Sequence, residues 1–283
     1  MKEFFTKDRL RVICSVALSF LLCLGVFSTV ICIDLLCATG RGLVLSSAEK
    51  SNYADIAHEQ MIEELNYLAV PSGLPGDFFT GKIDKAEFKE LYLSVTESTV
   101  TADKSYKIDL SKFNTQVYDM TVEYSKNVSG DFSESVEKDI ALFATECESI
   151  YLSYINPSLL SYTLTLFASA RKYVIIALIV SVVFTLICGT VLFKLNNIRK
   201  LLRYCFISFV GAAFTLGTIP SLLLITNEVS RVAISSKSLY AFITTFANSF
   251  LWLLLISAFI LLFIALVMLA VKIYGLIFKR EVI

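Results

Sequence analysis

The sequence predicts an all-α integral membrane protein, with four transmembrane helices and a helical extracytoplasmic domain inserted between spans one and two. Three observations predict it. Four long stretches of the 283-residue chain carry no Asp, Glu, Lys or Arg. The composition leans toward lipid, with 56% apolar and 18% charged residues and a mean hydropathy of +0.70, against about 45–50% and about 25% for soluble domains. The charge is also partitioned. Residues 40–172 hold 12 basic and 20 acidic side chains, and the other 150 residues hold 13 and 5. The formal net charge of zero is thus a cancellation between −8 and +8. This composition excludes a disordered chain, a disulfide-dense scaffold and an ordinary soluble enzyme. The neutral total argues against a nucleic-acid partner.

A bilayer core about 30 Å thick needs about 20 apolar residues per helical crossing. After a tail at 1–11, the first charge-free run is Val12–Ile33, and the span is placed at 12–36. Lys2, Lys7, Arg9 and Arg11 would suit a signal peptide, but 22 apolar residues exceed the roughly 7–15 of a signal core. No clean small-x-small site follows, and Leu35-Leu36-Cys37 lacks the small residue expected before a lipidated Cys. The segment therefore reads as a retained anchor. Span two is Tyr173–Phe193. A loop at 194–203 leads to span three at 204–226, within the charge-free run Tyr204–Asn227. The last run, Ser238–Val271, is too long for one crossing. Span four is placed at 249–271, with 227–248 as a loop whose end, Ser238–Asn248, is an interfacial lead-in, and 272–283 as a tail.

Lys and Arg set orientation. The N-terminal tail, the 194–203 loop and the C-terminal end together hold 11 of them, against Arg231 and Lys237 between spans three and four. Both termini are expected in the cytoplasm of a multi-pass plasma-membrane protein, and residues 37–172 outside. Charged groups at mid-depth mark ion and proton pathways. Asp34 lies about 33 Å along the helix from Val12 at 1.5 Å per residue, a position expected at the headgroups. With no acid or base expected at mid-depth, ion pumps, proton-coupled transporters and intramembrane proteases are weakened. Ser181, Thr185 and Gly189 in span two, and Gly211, Ala213 and Gly217 in span three, are candidate packing faces. Pro220 is expected to kink span three.

The outer segment reads as helices. Ser46-Ser47-Ala48-Glu49 has capping-box spacing, and Tyr53, Ile56, Ala57, Met61, Leu65 and Leu68 follow at helical steps. Pro71-Ser72-Gly73-Leu74-Pro75-Gly76 breaks the chain. A second helix is expected from Asp84 with Phe88, Leu91 and Val95, and Glu87 completing a capping box. A third carries Leu110, Phe113, Val117, Met120, Tyr124 and Val128 and ends at Ser129-Gly130-Asp131. A fourth carries Val136, Ile140, Phe143, Cys147, Ile150 and Tyr154. The last two stripes suit antiparallel packing in a small bundle. Asn156-Pro157 is a helix start, from which the chain is expected to run helically through Arg171 into span two.

Several patterns imitate chemistry. Gly76-Asp77-Phe78-Phe79-Thr80-Gly81-Lys82 has P-loop spacing, but Ile83 stands where Mg²⁺ needs a hydroxyl, and no strand precedes it. Gly81 to Glu87 resembles the second half of an EF-hand loop, but Gly76, Phe78 and Thr80 stand at the first ligand positions without a carboxylate. His58 is the single His, so a His-rich metal site or a Ser-His-Asp triad has no basis, and a solvated surface role with mild pH sensitivity is expected. Glu63, Glu64, Glu146 and Glu148 read as solvated helix faces. Cys14, Cys23, Cys32, Cys188 and Cys205 fall in spans; Cys37 and Cys147 alone could meet an oxidising compartment. Asn127-Val128-Ser129 is a glycosylation sequon only in a eukaryotic secretory route. No catalytic, cofactor-binding or metal-binding residue is assigned, and no cofactor.

The stretch Ala69-Val70-Pro71-Ser72-Gly73-Leu74-Pro75 after an acidic helix resembles a motif of uncharacterised four-span membrane proteins of Gram-positive bacteria with an extracytoplasmic helical domain. The resemblance covers the first outer helix and its turn, and implies a bacterial envelope setting without an activity. A helical bundle joining two spans also resembles chemoreceptor-type sensors. The span order is similar to permeases of the macrolide-exporter and cell-division ABC type, although a ten-residue cytoplasmic loop is short for coupling to an ATPase. The function expected is a membrane-anchored extracytoplasmic recognition or scaffold protein. Its partners are the lipid bilayer and an envelope or membrane protein, and its oligomeric state is open. The alternative is a permease-like subunit of an ABC-type transport or envelope complex.

Overall fold

The apolar runs and helical stripes translate into helix. The computed structural model describes residues 7–103, 105–129 and 133–277. Among them lie nine α-helices and no strand: α1 (Lys7–Ala38), α2 (Arg41–Lys50), α3 (Tyr53–Ala69), α4 (Lys85–Thr101), α5 (Ser111–Ser129), α6 (Glu134–Ile155), α7 (Ser158–Leu195), α8 (Ile198–Thr226) and α9 (Lys237–Ile277). A short 3-10 turn spans Glu228–Arg231. Four helices are long and apolar enough to cross a membrane, within Arg9–Ala38, Ser158–Leu195, Ile198–Thr226 and Lys237–Tyr274. Residues 1–6 and 278–283 of the two tails, and Gly130-Asp131 of the expected break, lie outside the described residues.

The chain divides into two units. One takes residues up to Leu43, Ala170–Val232 and those from Phe246 onward. The other takes Val44–Ser169 and Ala233–Thr245.

In the first unit, α1 packs along α8. The core is aliphatic and small: Leu22 and Val26 of α1, Leu192 of α7, Ala212, Ala213 and Leu216 of α8, and Ala258 and Leu261 of α9. Close approach falls where small residues sit. A Cβ at Gly25 would meet Thr185 Oγ1 at 2.6 Å, one at Gly211 would meet Cys23 Sγ at 3.1 Å, and one at Gly217 would meet the Ala258 Cβ at 3.3 Å. Gly189, expected on a packing face, faces open space. Helix α8 continues through a buried Pro220.

The loop expected at 194–203 is almost absent. Helix α7 ends at Leu195 and α8 starts at Ile198, so only Asn196 and Asn197 are non-helical. The polar composition of that stretch reads as a loop, yet its Lys and Arg side chains sit in the end turns of helices. The lead-in at 238–248 is likewise the opening of one unbroken helix, α9, whose first turns belong to the second unit. There Phe242 is buried and stands edge-on to Tyr53, with ring centroids 6.2 Å apart. The backbone N–H of Ser238 donates to Gln60 Oε1 at 3.1 Å.

In the second unit, α6 packs against α3, α4 and α5, and α3 packs against α4. The helix expected from Ser46 is two helices. Ser46 lies inside α2, and the break comes at Asn52, which adopts φ 51°, a left-handed conformation that Asn tolerates better than most residues. Asp84 caps α4 as expected, accepting from the Ala86 N–H at 2.9 Å. The Glu87 carboxylate turns instead to Lys112 Nζ on α5, 2.8 Å away. On α4 Tyr92 is buried beside Phe88, and Leu91 is half-buried. On α5, Val128 is exposed at 65%, because Thr121 closes the buried stripe two turns earlier. Helix α7 starts after Asn156-Pro157 and runs unbroken to Leu195, as the sequence predicts.

Candidate functional site

Two places gather polar groups beyond what folding of a helix requires. The first is a seam of hydroxyls on α1. Ser15 Oγ accepts from Asn196 Nδ2 at 2.8 Å. One turn on, Ser19 and Ser208 hydroxyls meet at 2.9 Å, and Ser208 Oγ lies 2.7 Å from the Ser19 carbonyl oxygen, to which it donates. Thr29 Oγ1 lies 3.1 Å from Ser181 Oγ. At the far end, Ser257 Oγ of α9 donates to Asp34 Oδ1 at 2.7 Å. Arg11 Nε also donates to the Leu195 carbonyl at the near end. The Ser19–Ser208, Thr29–Ser181 and Asp34–Ser257 contacts each join two long helices, and such bonds hold neighbouring helices in register.

Asp34 is where the sequence expectation fails. Its position along α1 suggests headgroup solvation, but the side chain is 1% exposed and Oδ2 has no hydrogen-bond partner. Counting residues sets the height of a group on a helix. The side to which it points is set by packing, here toward Ser257. Of the seam, sequence reasoning singled out Asp34 and Ser181, with Thr185 behind Gly25. Ser15, Ser19, Ser208, Asn196 and Ser257 carry no signal beyond being polar residues inside or beside apolar runs.

The second place is the surface of the helical unit around its aromatic core. Tyr53 stacks on Tyr92 with centroids 4.4 Å apart, Phe113 on Tyr151 at 4.1 Å, and Phe79 on Phe143 at 6.1 Å. Burial pushes the Tyr151 hydroxyl up to about 12, with Glu87 and Asp84 adding to it, and raises those of Tyr53 and Tyr92 further. These phenols stay neutral structural groups. A cavity of about 370 Å³ opens between the end of α4 and the start of α7, lined by Ser98, Tyr106, Asn156, Ser161 and Thr165. Two of its hydroxyls are spent inside the helices: Ser98 Oγ donates to the Val95 carbonyl at 2.8 Å and Thr165 Oγ1 to the Ser161 carbonyl at 2.8 Å. A second cavity, of about 470 Å³, has one wall made of Pro71-Ser72-Gly73-Leu74 and faces Tyr124 and Asp139.

The motifs that imitate chemistry have structural tasks. Between Gly76 and Ile83 the chain is a series of turns, with Gly81 at φ 74°. Phe78 and Phe79 plug the core, and Lys82 Nζ lies 3.9 Å from the centre of the Phe78 ring. Thr80 Oγ1 accepts from Asn66 Nδ2 at 3.1 Å. His58, expected in solvent, is half-buried. Its ring stands edge-on to Phe88 at 5.5 Å, and Nε2 lies 3.3 Å from the Ile83 carbonyl oxygen. Burial lowers its proton affinity and the Lys85 charge adds to this, while the Ile83 bond opposes it. Glu64 accepts from Tyr154 Oη at 2.7 Å and Glu148 from Asn114 Nδ2 at 2.6 Å, so these carboxylates serve separate contacts and form no pair. All seven cysteines are free; Cys37 is exposed, and Cys147 is buried with its thiol pushed up to about 12 by desolvation, aided by Glu146.

No protein-family model matches the chain, and no curated protein or solved structure matches it.

Proposed function

We propose that the chain is a membrane-anchored recognition or scaffold protein of the plasma membrane. In this reading the four long helices cross the bilayer, both termini lie in the cytoplasm, and the helical unit lies on the extracytoplasmic side. The observation that carries it is that helical unit: a bundle with its own aromatic core, most of it placed in the chain between the first and second span-length helices. The charge balance of −8 over residues 40–172 supports it, because the basic residues gather at the other ends of the spans. The two cavities, one of them walled by Pro71-Ser72-Gly73-Leu74, are the surfaces offered for recognition. The resemblance of residues 69–75 to Gram-positive four-span proteins fits the same setting, a bacterial envelope.

The permease-like alternative loses support. A coupling element that engages an ATPase needs cytoplasmic chain between spans, and α7 and α8 are joined by two non-helical residues. The test is photo-cross-linking from Tyr67 and Tyr162, both exposed at the surface of the helical unit, in native membranes. The recognition reading expects one recurrent envelope or membrane protein on the adducts. Cross-links to lipid alone would contradict it, and an ATP-binding protein recovered in stoichiometric amount would restore the permease reading.

A further inference from the structure

Asp34 is buried more deeply than any other described Asp, Glu, Lys or Arg. A carboxylate carries its charge on two oxygens, and in water each is met by several donors. Here Oδ1 has one donor, Ser257 Oγ at 2.7 Å, and Oδ2 has none. Ser257 is the polar side chain that acts on it from α9, and among the described residues no charged group of the neighbouring helices does so. An ionised carboxylate taken out of water with one hydrogen bond and no counter-charge is strongly disfavoured. Something must neutralise it. A metal ion is poorly served, since hard cations take six or more oxygen ligands and among the described residues no group of three His, Cys, Asp or Glu side chains gathers. A proton needs one lone pair, and Oδ2 offers it. Ionisable residues inside a membrane-spanning unit that point to its interior are functional groups by default.

We propose that Asp34 is a proton-binding site, with Oδ2 as the atom that takes up and releases the proton and Ser257 as the residue that orients the carboxyl through Oδ1. The step balances simply. A proton from water forms one O–H bond at Oδ2 and the side-chain charge goes from −1 to zero; release to water reverses it. The site changes charge inside the unit of long helices without any cofactor.

The experiment uses the full chain in lipid nanodiscs, with aspartate labelled by ¹³C at Cγ, and infrared and solid-state NMR spectra taken across pH. The expected result is a carboxylic-acid signal near neutral pH that is lost in Asp34→Asn and retained in Asp55→Asn. In Ser257→Ala the signal should persist with a shifted frequency, because the hydrogen bond to Oδ1 is gone. That variant decides the question on its own if Asp34→Asn does not fold. No protonated aspartate near neutral pH, a signal that survives Asp34→Asn, or one unmoved by Ser257→Ala would each overturn the proposal. So would a signal abolished by sodium chloride at constant pH, which would assign the site to a metal cation.

Discussion

Removing the Phe79 ring should loosen the segment between α3 and α4, and the loss is calculable. Phe79 is fully buried, stacks on Phe143 of α6, and stands edge-on to Phe78 at 5.1 Å. Its N–H donates to Asn66 Oδ1 at 2.9 Å. Phe→Ala in a packed core costs about 3–5 kcal/mol, from lost transfer energy plus the cavity left behind. Asn66→Ala removes the acceptor from the Phe79 N–H and the donor from Thr80, and an orphaned buried group costs about 1–3 kcal/mol. The two act on one segment, so the double variant should lose less than the sum. The assay is hydrogen–deuterium exchange of the full chain in nanodiscs, read on peptides from α3, α4 and α6. Each kcal/mol lost should raise exchange through cooperative opening about five-fold. A Phe79→Ala loss under about 0.5 kcal/mol, the range of an ordinary surface change, would mean that the turn segment lies on the bundle without closing its core.

Two further outcomes follow from particular contacts. His58 is held neutral by burial, so the unfolded chain takes up a proton first, near the ordinary value of about 6.5. The stability from a neutral His58 should be complete above that pH and fall as pH drops toward the lower folded value. Melting of the helical unit should show this decline in the parent and a smaller one in His58→Gln; an identical slope would remove His58 as its cause. Gly25→Ala should cost about 1–3 kcal/mol, because Thr185 Oγ1 lies 2.6 Å from the added Cβ and donates to the Ser181 carbonyl at 2.7 Å. Unfolding in detergent should find that Thr185→Ala largely restores this loss, and a Gly25→Ala variant as stable as the parent would show that the two helices stand further apart.

The long helices were legible because an apolar run longer than a bilayer core leaves few alternatives. Helices α4, α5 and α6 were legible because Phe88, Phe113, Val117, Ile140 and Phe143 recur at the helical period and all are buried. What escaped was set by rotation and by partners distant in sequence. Asp34 occupies the expected height on α1, but its burial depends on Ser257, 223 residues away. Leu91 and Tyr92 are equally plausible core residues by spacing, and Tyr53 of α3 selects Tyr92 by stacking on it. Phe242 reads as part of an apolar lead-in, yet it is in the core of the helical unit. The break at Asn52 lacks Pro or Gly, so only its positive φ reveals it. Polar residues at 194–203 signalled a loop, where the chain needs only Asn196-Asn197 to reverse.

The placement of the helical unit outside the membrane is tested most directly by residue accessibility in intact cells. In a chain stripped of its seven cysteines, Glu123→Cys on the exposed face of α5 and Lys200→Cys in the first turn of α8 each supply one reactive thiol. With a membrane-impermeant maleimide, Glu123→Cys should react in intact cells, and Lys200→Cys only after permeabilisation. The opposite pattern, or protection of both thiols in intact cells, would contradict an extracytoplasmic helical unit.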